Sequence, residues 1–162
     1  MEGNNLFVLL IQKDTADSGL VRQVLAKESS LKLQCVDSLA TALARLGGGG
    51  VDLIVLDLAL RDERATEGLT SFLQVREAAP QTPVVVLYDA CDEGLALRAM
   101  RAGAADTVLK QPSGDGIALV IRSAAGRGRK PLKTHHANSD GRRCQGSPQH
   151  RCPLFRRAHS SC

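Results

Sequence analysis

An aspartate and a lysine that each follow an apolar run are the side chains of this sequence best placed to do chemistry. Asp57 directly follows the run Val51–Leu56, and Lys110 follows the shorter run Thr107–Leu109. A carboxylate facing an ammonium group is either a structural ion pair or the centre of a reactive site. Residue types alone leave both interpretations open, and the choice depends on where the fold places the two side chains.

Apolar runs alternate with stretches of helical periodicity along the first 125 residues. The runs Leu6–Ile11 and Val84–Leu87 are continuously apolar, and Val51–Leu56 is apolar except for Asp52, as strands buried on both faces are. Leu31–Val36 alternates apolar with polar residues, which predicts a half-covered edge strand. Five such βα units in series predict an α/β fold, a single doubly wound five-stranded parallel sheet flanked by helices.

This fold predicts where the reactive side chains meet. In doubly wound sheets the functional site lies at the carboxyl ends of the strands, near the switch in strand order. The polar residues that the sequence delivers to this edge are Gln12, Lys13 and Asp14 after the first strand, Asp57 after the third, Tyr88 after the fourth and Lys110 after the fifth.

Three segments together resemble a response-regulator receiver domain of the two-component, or phosphorelay, family. They are Val51–Leu60, which contains Asp57, then Pro83–Leu87 and Ala99–Lys110. The resemblance extends from residue 6 to about residue 125. It implies the flavodoxin-like form of the predicted sheet, with the strand order 2-1-3-4-5.

The resemblance also implies a function and a role for each site residue. In that family a histidine kinase or a phosphotransfer protein supplies a phosphoryl group to the aspartate that matches Asp57. A Mg²⁺ ion, held by that aspartate and by an acidic pair after the first strand, neutralises the phosphoryl group. The lysine matching Lys110 and a hydroxyl residue at the switch position, here Tyr88, then hold the product, because phosphoryl transfer needs cations around the oxygens more than proton chemistry. The implied role is signalling, not enzymatic catalysis.

The residues around the implied metal site depart from the family pattern. Gln12 and Lys13 replace the acidic pair, with Asp14 one residue further on, and Tyr88 replaces a small Thr or Ser. An ammonium group repels a divalent cation, which requires oxygen ligands. Two interpretations stay open. Either Asp57 is phosphorylated, with Asp14 and Asp57 binding Mg²⁺ in a degenerate site, or Lys13 lies beside Asp57 as a tethered cation in a phosphorylation-independent protein-interaction module.

The end of the chain differs in composition from the rest. Residues 126–162 carry nine basic side chains and one acidic, a net charge of +8, with too few large apolar residues for a core. We therefore expect a receiver-like domain over residues 1–125 and a disordered basic tail over residues 126–162. The tail is either a functional extension or the product of a shifted reading frame. Its histidines and cysteines match no common zinc-binding spacing.

Composition excludes several other function classes. No apolar run reaches the roughly 18 residues that a membrane span requires, and no secretory leader follows Met1. These features predict a cytoplasmic protein without a membrane partner. The absence of Trp and the small number of aromatic residues argue against specific nucleic-acid binding, because few stacking platforms remain. The segment Gln12–Thr15 is not the glycine-rich turn that would hold a nucleotide.

Several residues near the strand ends have structural explanations. Asp89, Asp92 and Glu93 precede the fourth helix and are expected to cap its first turn, where acidic side chains suit the helix dipole. Cys35 and Cys91 are expected to be small apolar fillers.

The resemblance further implies a surface for self-association. In the family, the face made by the fourth helix, the fifth strand and the fifth helix often mediates pairing. Arg98, Arg101 and Asp106 lie on these elements and are candidate ion-pair partners in a homodimer. Such exposed pairs contribute more to partner choice than to stability.

Overall fold

Five parallel strands form one sheet at the centre of the protein. The computed structural model describes residues 5–13, 18–60, 68–110 and 114–128. The strands are β1 (Leu6–Ile11), β2 (Leu31–Val36), β3 (Leu53–Asp57), β4 (Val84–Tyr88) and β5 (Asp106–Leu109). Their order in the sheet is β2-β1-β3-β4-β5. The predicted doubly wound, flavodoxin-like fold is therefore confirmed.

Helices cover both faces of this sheet. They are α1 (Ser18–Ala26), α2 (Leu39–Gly47), α3 (Gly68–Ala78), α4 (Glu93–Arg101) and α5 (Asp115–Gly128). Helices α2, α3 and α4 bury apolar residues on one face, in a cluster that includes Leu9, Ile54 and Val86. Helices α1 and α5 cover the other face, in a cluster that includes Leu10 and Val55. Because successive strand residues point to opposite faces, both layers need apolar partners, which explains the continuous apolar runs.

The edge strand and one helix start match their sequence patterns. In β2 only Val36 is buried, and Leu31 and Leu33 are partly buried on the opposite face, which fits a strand at the edge of the sheet. Helix α2 begins after Ser38, whose Oγ accepts a hydrogen bond from the Thr41 backbone N–H at 3.2 Å. None of the described helices is long and apolar enough to cross a membrane.

Two details differ from the sequence predictions. Cys35 and Cys91 are both exposed, so their prediction as buried fillers is wrong. Cys35 is an exposed residue of the edge strand β2, on the face that it shares with Leu31 and Leu33, and Cys91 lies in a short 3-10 helix, Ala90–Asp92, between β4 and α4. Helix α5 runs to Gly128 and so includes the first residues of the predicted tail. Arg127 in its last turn contacts Asp106 of β5, with 3.0 Å between Nη2 and Oδ2.

Candidate functional site

Four polar residues converge at the carboxyl edge of the sheet, where parallel strands end together. Asp57 is the last residue of β3, and Gln12 comes directly after β1. Lys110 comes directly after β5, and its backbone N–H donates to the Tyr88 carbonyl at 2.9 Å. Asp89 is the first residue after β4. The hydrogen bonds between the parallel strands thus fix the backbone position of each of these residues at the same edge of the sheet.

The Lys110 ammonium group holds both oxygens of the Asp57 carboxylate. Its Nζ lies 3.0 Å from Oδ1 and 3.0 Å from Oδ2. Asp57 is buried, with 4% of its surface exposed, and its Oδ1 also accepts the Ala59 backbone N–H at 2.9 Å. A buried carboxylate requires such charge-assisted partners. The expected juxtaposition of Asp57 and Lys110 is thus present.

Gln12 is a third partner of Asp57. Its Nε2 donates to Asp57 Oδ2 at 3.1 Å, and the residue is only 2% exposed. The other amide atom, Oε1, is buried without a hydrogen-bond partner among the described residues. The sequence analysis placed Gln12 at this edge of the sheet but did not predict its hydrogen bond with Asp57. Its place directly after the buried end of β1 was the signal that its side chain would point into the site.

Asp89 is the second carboxylate on Lys110, and the sequence pattern did not indicate it. Asp89 Oδ2 lies 2.9 Å from Lys110 Nζ, and the Asp89 side chain is 46% exposed. Asp89 precedes the short 3-10 helix and Asp92 precedes α4, but neither side chain makes a capping hydrogen bond. The capping role expected for these two residues is therefore wrong. Glu93 does lie in the first turn of α4.

The two carboxylates set the protonation of Lys110. Burial by itself would lower the pKa of Lys110, but its hydrogen bonds with Asp89 and Asp57, together with their negative charges, raise that pKa above 10.5. Lys110 is therefore a fixed cation at neutral pH. The arrangement can stabilise negative charge on oxygens bound at Asp57.

For the other predicted site residues, the described part of the chain shows no hydrogen bond or ion pair with Asp57. Tyr88 ends β4, is partly buried and packs against the apolar cluster under α2, α3 and α4. Lys13 is exposed, and no bond between it and Asp57 occurs in the described part of the chain. Asp14 lies outside the described residues. The roles given to Tyr88 and Asp14 stay predictions.

The donor atoms described at this edge do not fit a Mg²⁺ site. Mg²⁺ prefers octahedral oxygen coordination that includes one or two carboxylates. Here both Asp57 oxygens contact an ammonium group, and Gln12 turns an N–H toward Asp57 where a ligand oxygen would be needed. Within the described residues, no three His, Cys, Asp or Glu side chains are grouped as a metal site requires. A Mg²⁺ site would depend on Asp14.

Comparisons with known proteins identify the family of the chain, and its site at the carboxyl edge of the sheet is consistent with that family. A family model described as the response regulator receiver domain matches residues 8–122. The chain belongs to this family of two-component signalling modules. Receiver domains of this family generally bind Mg²⁺ and interact with histidine kinases or phosphotransfer proteins. The search of curated proteins returned no significant match.

Solved structures show the same fold. The receiver domain of NtrX from Brucella abortus is 25% identical, with a TM-score of 0.66 over 74% of this chain and 98% of that one. The signal receiver domain of a putative Luxo repressor protein from Vibrio parahaemolyticus is 22% identical, with a TM-score of 0.65 over 76% and 92% of the two chains. A CheY-like receiver domain protein from Methanospirillum hungatei JF-1 is 17% identical, with a TM-score of 0.66 over 78% and 98%.

Proposed function

We propose that this chain is a phosphorelay receiver in which Asp57 accepts a phosphoryl group from a histidine kinase or a phosphotransfer protein. One observation carries the proposal. The buried Asp57 carboxylate ends β3 at the switch in strand order, and Lys110, which is positively charged at neutral pH, contacts both of its oxygens. Family membership supports the same assignment. The proposal keeps the predicted cytoplasmic location.

The transfer is a displacement at phosphorus. A carboxylate oxygen of Asp57 forms the new O–P bond while the N–P bond of a phosphohistidine breaks. The phosphohistidine ring carries a proton on its other nitrogen, so the histidine leaves with the N–P electron pair as neutral imidazole. Negative charge grows on the oxygens around Asp57 during this step. The Lys110 ammonium group and the Ala59 N–H, both within 3.0 Å of Asp57 oxygens, are placed to stabilise it.

A second candidate function is a protein-interaction module that never carries phosphate. The observation that favours it is the described donor set. Gln12 donates a hydrogen bond to Asp57, and the exposed Lys13 adds a positive charge where the family has metal-binding carboxylates. In this alternative, the ion pair of Asp57 with Lys110 keeps the domain in one state, and a partner recognises its surface.

Intact-mass measurement after incubation with acetyl phosphate separates the two functions. The wild-type chain is expected to gain one phosphoryl group, and Asp57→Asn is expected to gain none, because the amide cannot attack phosphorus. Asp52→Asn is the matched control, since Asp52 lies at the opposite edge of the sheet, where its carboxylate accepts the Phe7 N–H. This control should be phosphorylated like the wild type.

The same experiment with Mg²⁺ or with a chelator tests the metal prediction. A gain that requires Mg²⁺ would support Asp14 and Asp57 as ligands. An equal gain in the chelator would contradict that assignment. If neither acetyl phosphate nor a panel of phosphorylated histidine kinases modifies the wild type, Asp57 is not a phosphoacceptor and the interaction module is the correct function.

A further inference from the structure

We propose that Asp89 is a positioning residue that restrains phosphoryl acceptance, by holding the Lys110 ammonium group away from an oxyanion that arrives at Asp57. This inference rests on the proposed function, because it concerns the regulation of the same site. It predicts that removing the charge of Asp89 makes the pocket more receptive to phosphoryl groups.

The first argument is the number of hydrogen-bond donors. An ammonium group has three N–H donors. Lys110 Nζ contacts three oxygens at bonding distance, two from Asp57 at 3.0 Å and one from Asp89 at 2.9 Å. The donor capacity of Lys110 is therefore fully used. A phosphoryl oxygen that needs Lys110 must displace one of these contacts.

The second argument is charge. Two carboxylates share one ammonium group, so this cluster carries a net charge of −1 before any phosphoryl group arrives. A phosphoryl group brings about −1.5 to −2 further charges at neutral pH. Asp89 is 46% exposed whereas the Asp57 side chain is 6% exposed, so an approaching anionic donor meets the Asp89 carboxylate from solvent. The negative charge of Asp89 repels the anionic donor, and the contact of Asp89 with Lys110 occupies the cation that would attract that donor.

Local backbone structure makes Asp89 available for this contact. The side chain does not cap the short 3-10 helix that follows it, and the turn is held instead by the Asp92 N–H, which donates to the Asp89 carbonyl at 2.8 Å. Lys110 is brought beside it because the Lys110 N–H donates to the carbonyl of the preceding residue, Tyr88. Asp89→Asn therefore removes one charge without removing a bond that defines the fold.

The first test compares the rates of phosphorylation by acetyl phosphate, measured by intact mass. Asp89→Asn is expected to react about three- to tenfold faster than the wild type, the size that one partly screened charge at this distance gives. Asp92→Asn is the matched control, because it makes the same charge change three residues away. It should react at the wild-type rate. Equal rates for Asp89→Asn and Asp92→Asn would overturn the proposal.

A second test does not depend on covalent chemistry. Binding of inorganic phosphate is measured by NMR titration of the Lys110 backbone amide, in Asp57→Asn and in Asp57→Asn with Asp89→Asn. The double variant is expected to bind about three- to tenfold more tightly at low salt, with a smaller difference at 0.5 M salt because exposed charges are screened. A purely structural Asp89 would show no such salt dependence.

The two tests separate the two proposals. If no variant is phosphorylated but the double variant binds phosphate more tightly, the phosphoacceptor proposal fails and the role of Asp89 stands. If the two Asp57→Asn variants have the same affinity, or neither binds measurably, the role of Asp89 is wrong whatever the covalent experiment shows.

Discussion

At the scale of single residues, Lys110 supplies the positive charge that faces the buried carboxylate of Asp57. The Asp57 carboxylate is buried, and its hydrogen-bond partners are an ammonium group, an amide and a backbone N–H. Gln12 helps to satisfy the carboxylate but contributes no negative charge of its own. The site therefore depends on Lys110 for the stability of the resting state as well as for any phosphoryl chemistry.

This dependence predicts a pH-dependent loss of stability. Lys110→Met leaves Asp57 without its ammonium partner and is expected to lower the free energy of unfolding at pH 8 by about 1–3 kcal/mol. The folded-state pKa of Lys110 is raised above 10.5, so its contribution is fully present below pH 10.5 and is lost as pH rises through the higher folded-state pKa. The difference between wild type and variant should therefore shrink above pH 10.5.

Urea unfolding at pH 8 and at pH 11 measures this difference. Lys27→Met is the control, because Lys27 is exposed and distant in sequence from the site, and its effect at pH 8 should stay within about 0.5 kcal/mol. A Lys110→Met effect of the same size at both pH values would contradict the assigned stabilising role of the ion pair.

At the scale of the elements, helix α3 begins against the backbone that follows Asp57. A Cβ atom added to Gly68 would collide with the carbonyl oxygen of Leu58. Only glycine allows this close approach, which fixes the chain beside the Asp57 end of β3. The position of the Asp57 carboxylate thus depends on a residue that makes no contact with it.

Two alanine substitutions with opposite signs test this packing. Gly68→Ala forces the Leu58 carbonyl to move and is expected to destabilise the protein by about 1–3 kcal/mol. Gly94→Ala, in α4, meets no atom within 4 Å and is expected to stabilise by about 0.5–1 kcal/mol, because alanine favours the helix. Urea denaturation of both variants provides the comparison. Stabilisation by Gly68→Ala would show that α3 does not need this contact.

The elements also show which features the sequence could predict. The bounds of β1 and β2 follow from apolar patterning alone, because burial on one or both faces dictates residue type directly. The contact between Gln12 and Asp57 joins residues 45 positions apart, one directly after β1 and the other at the end of β3. Local pattern carries no information on which rotamer such a side chain adopts.

Asp89 shows the same limit more sharply. An acidic residue just before a helix is expected to cap it, and the sequence offers no reason to choose otherwise. The neighbouring β5 brings the Lys110 ammonium group to 2.9 Å, and an ion pair with a cation outweighs a cap that the turn does not require. At Asp89, the position that we assign to regulation, the contact with Lys110 in the folded protein therefore outweighs the local preference of an acidic residue for capping the helix.

At the scale of the whole molecule, two ion pairs among the described residues connect α5 to other parts of the domain. Arg122 contacts Glu28 in the segment between α1 and β2, and Arg127 contacts Asp106 of β5. Asp106 is also a candidate partner in the predicted homodimer. Since its carboxylate is engaged within the chain, a homodimer through the face of α4, β5 and α5 would have to share or exchange this contact.

The ion pair of Arg127 with Asp106 predicts how the thermal stability changes when the chain is shortened from its carboxyl end. A chain of residues 1–130, the extent of the compact unit, keeps all of α5 and is expected to melt within about 1 °C of the full protein. A chain of residues 1–125 keeps the buried Ala124 and Ala125 but loses Arg127, and its Tm should be about 2–5 °C lower. Full-length Arg127→Ala separates the ion pair from the helix turn and should account for part of this loss. Equal melting of both shortened chains would place the end of the domain at residue 125, because the last turn of α5 would then add nothing to its stability.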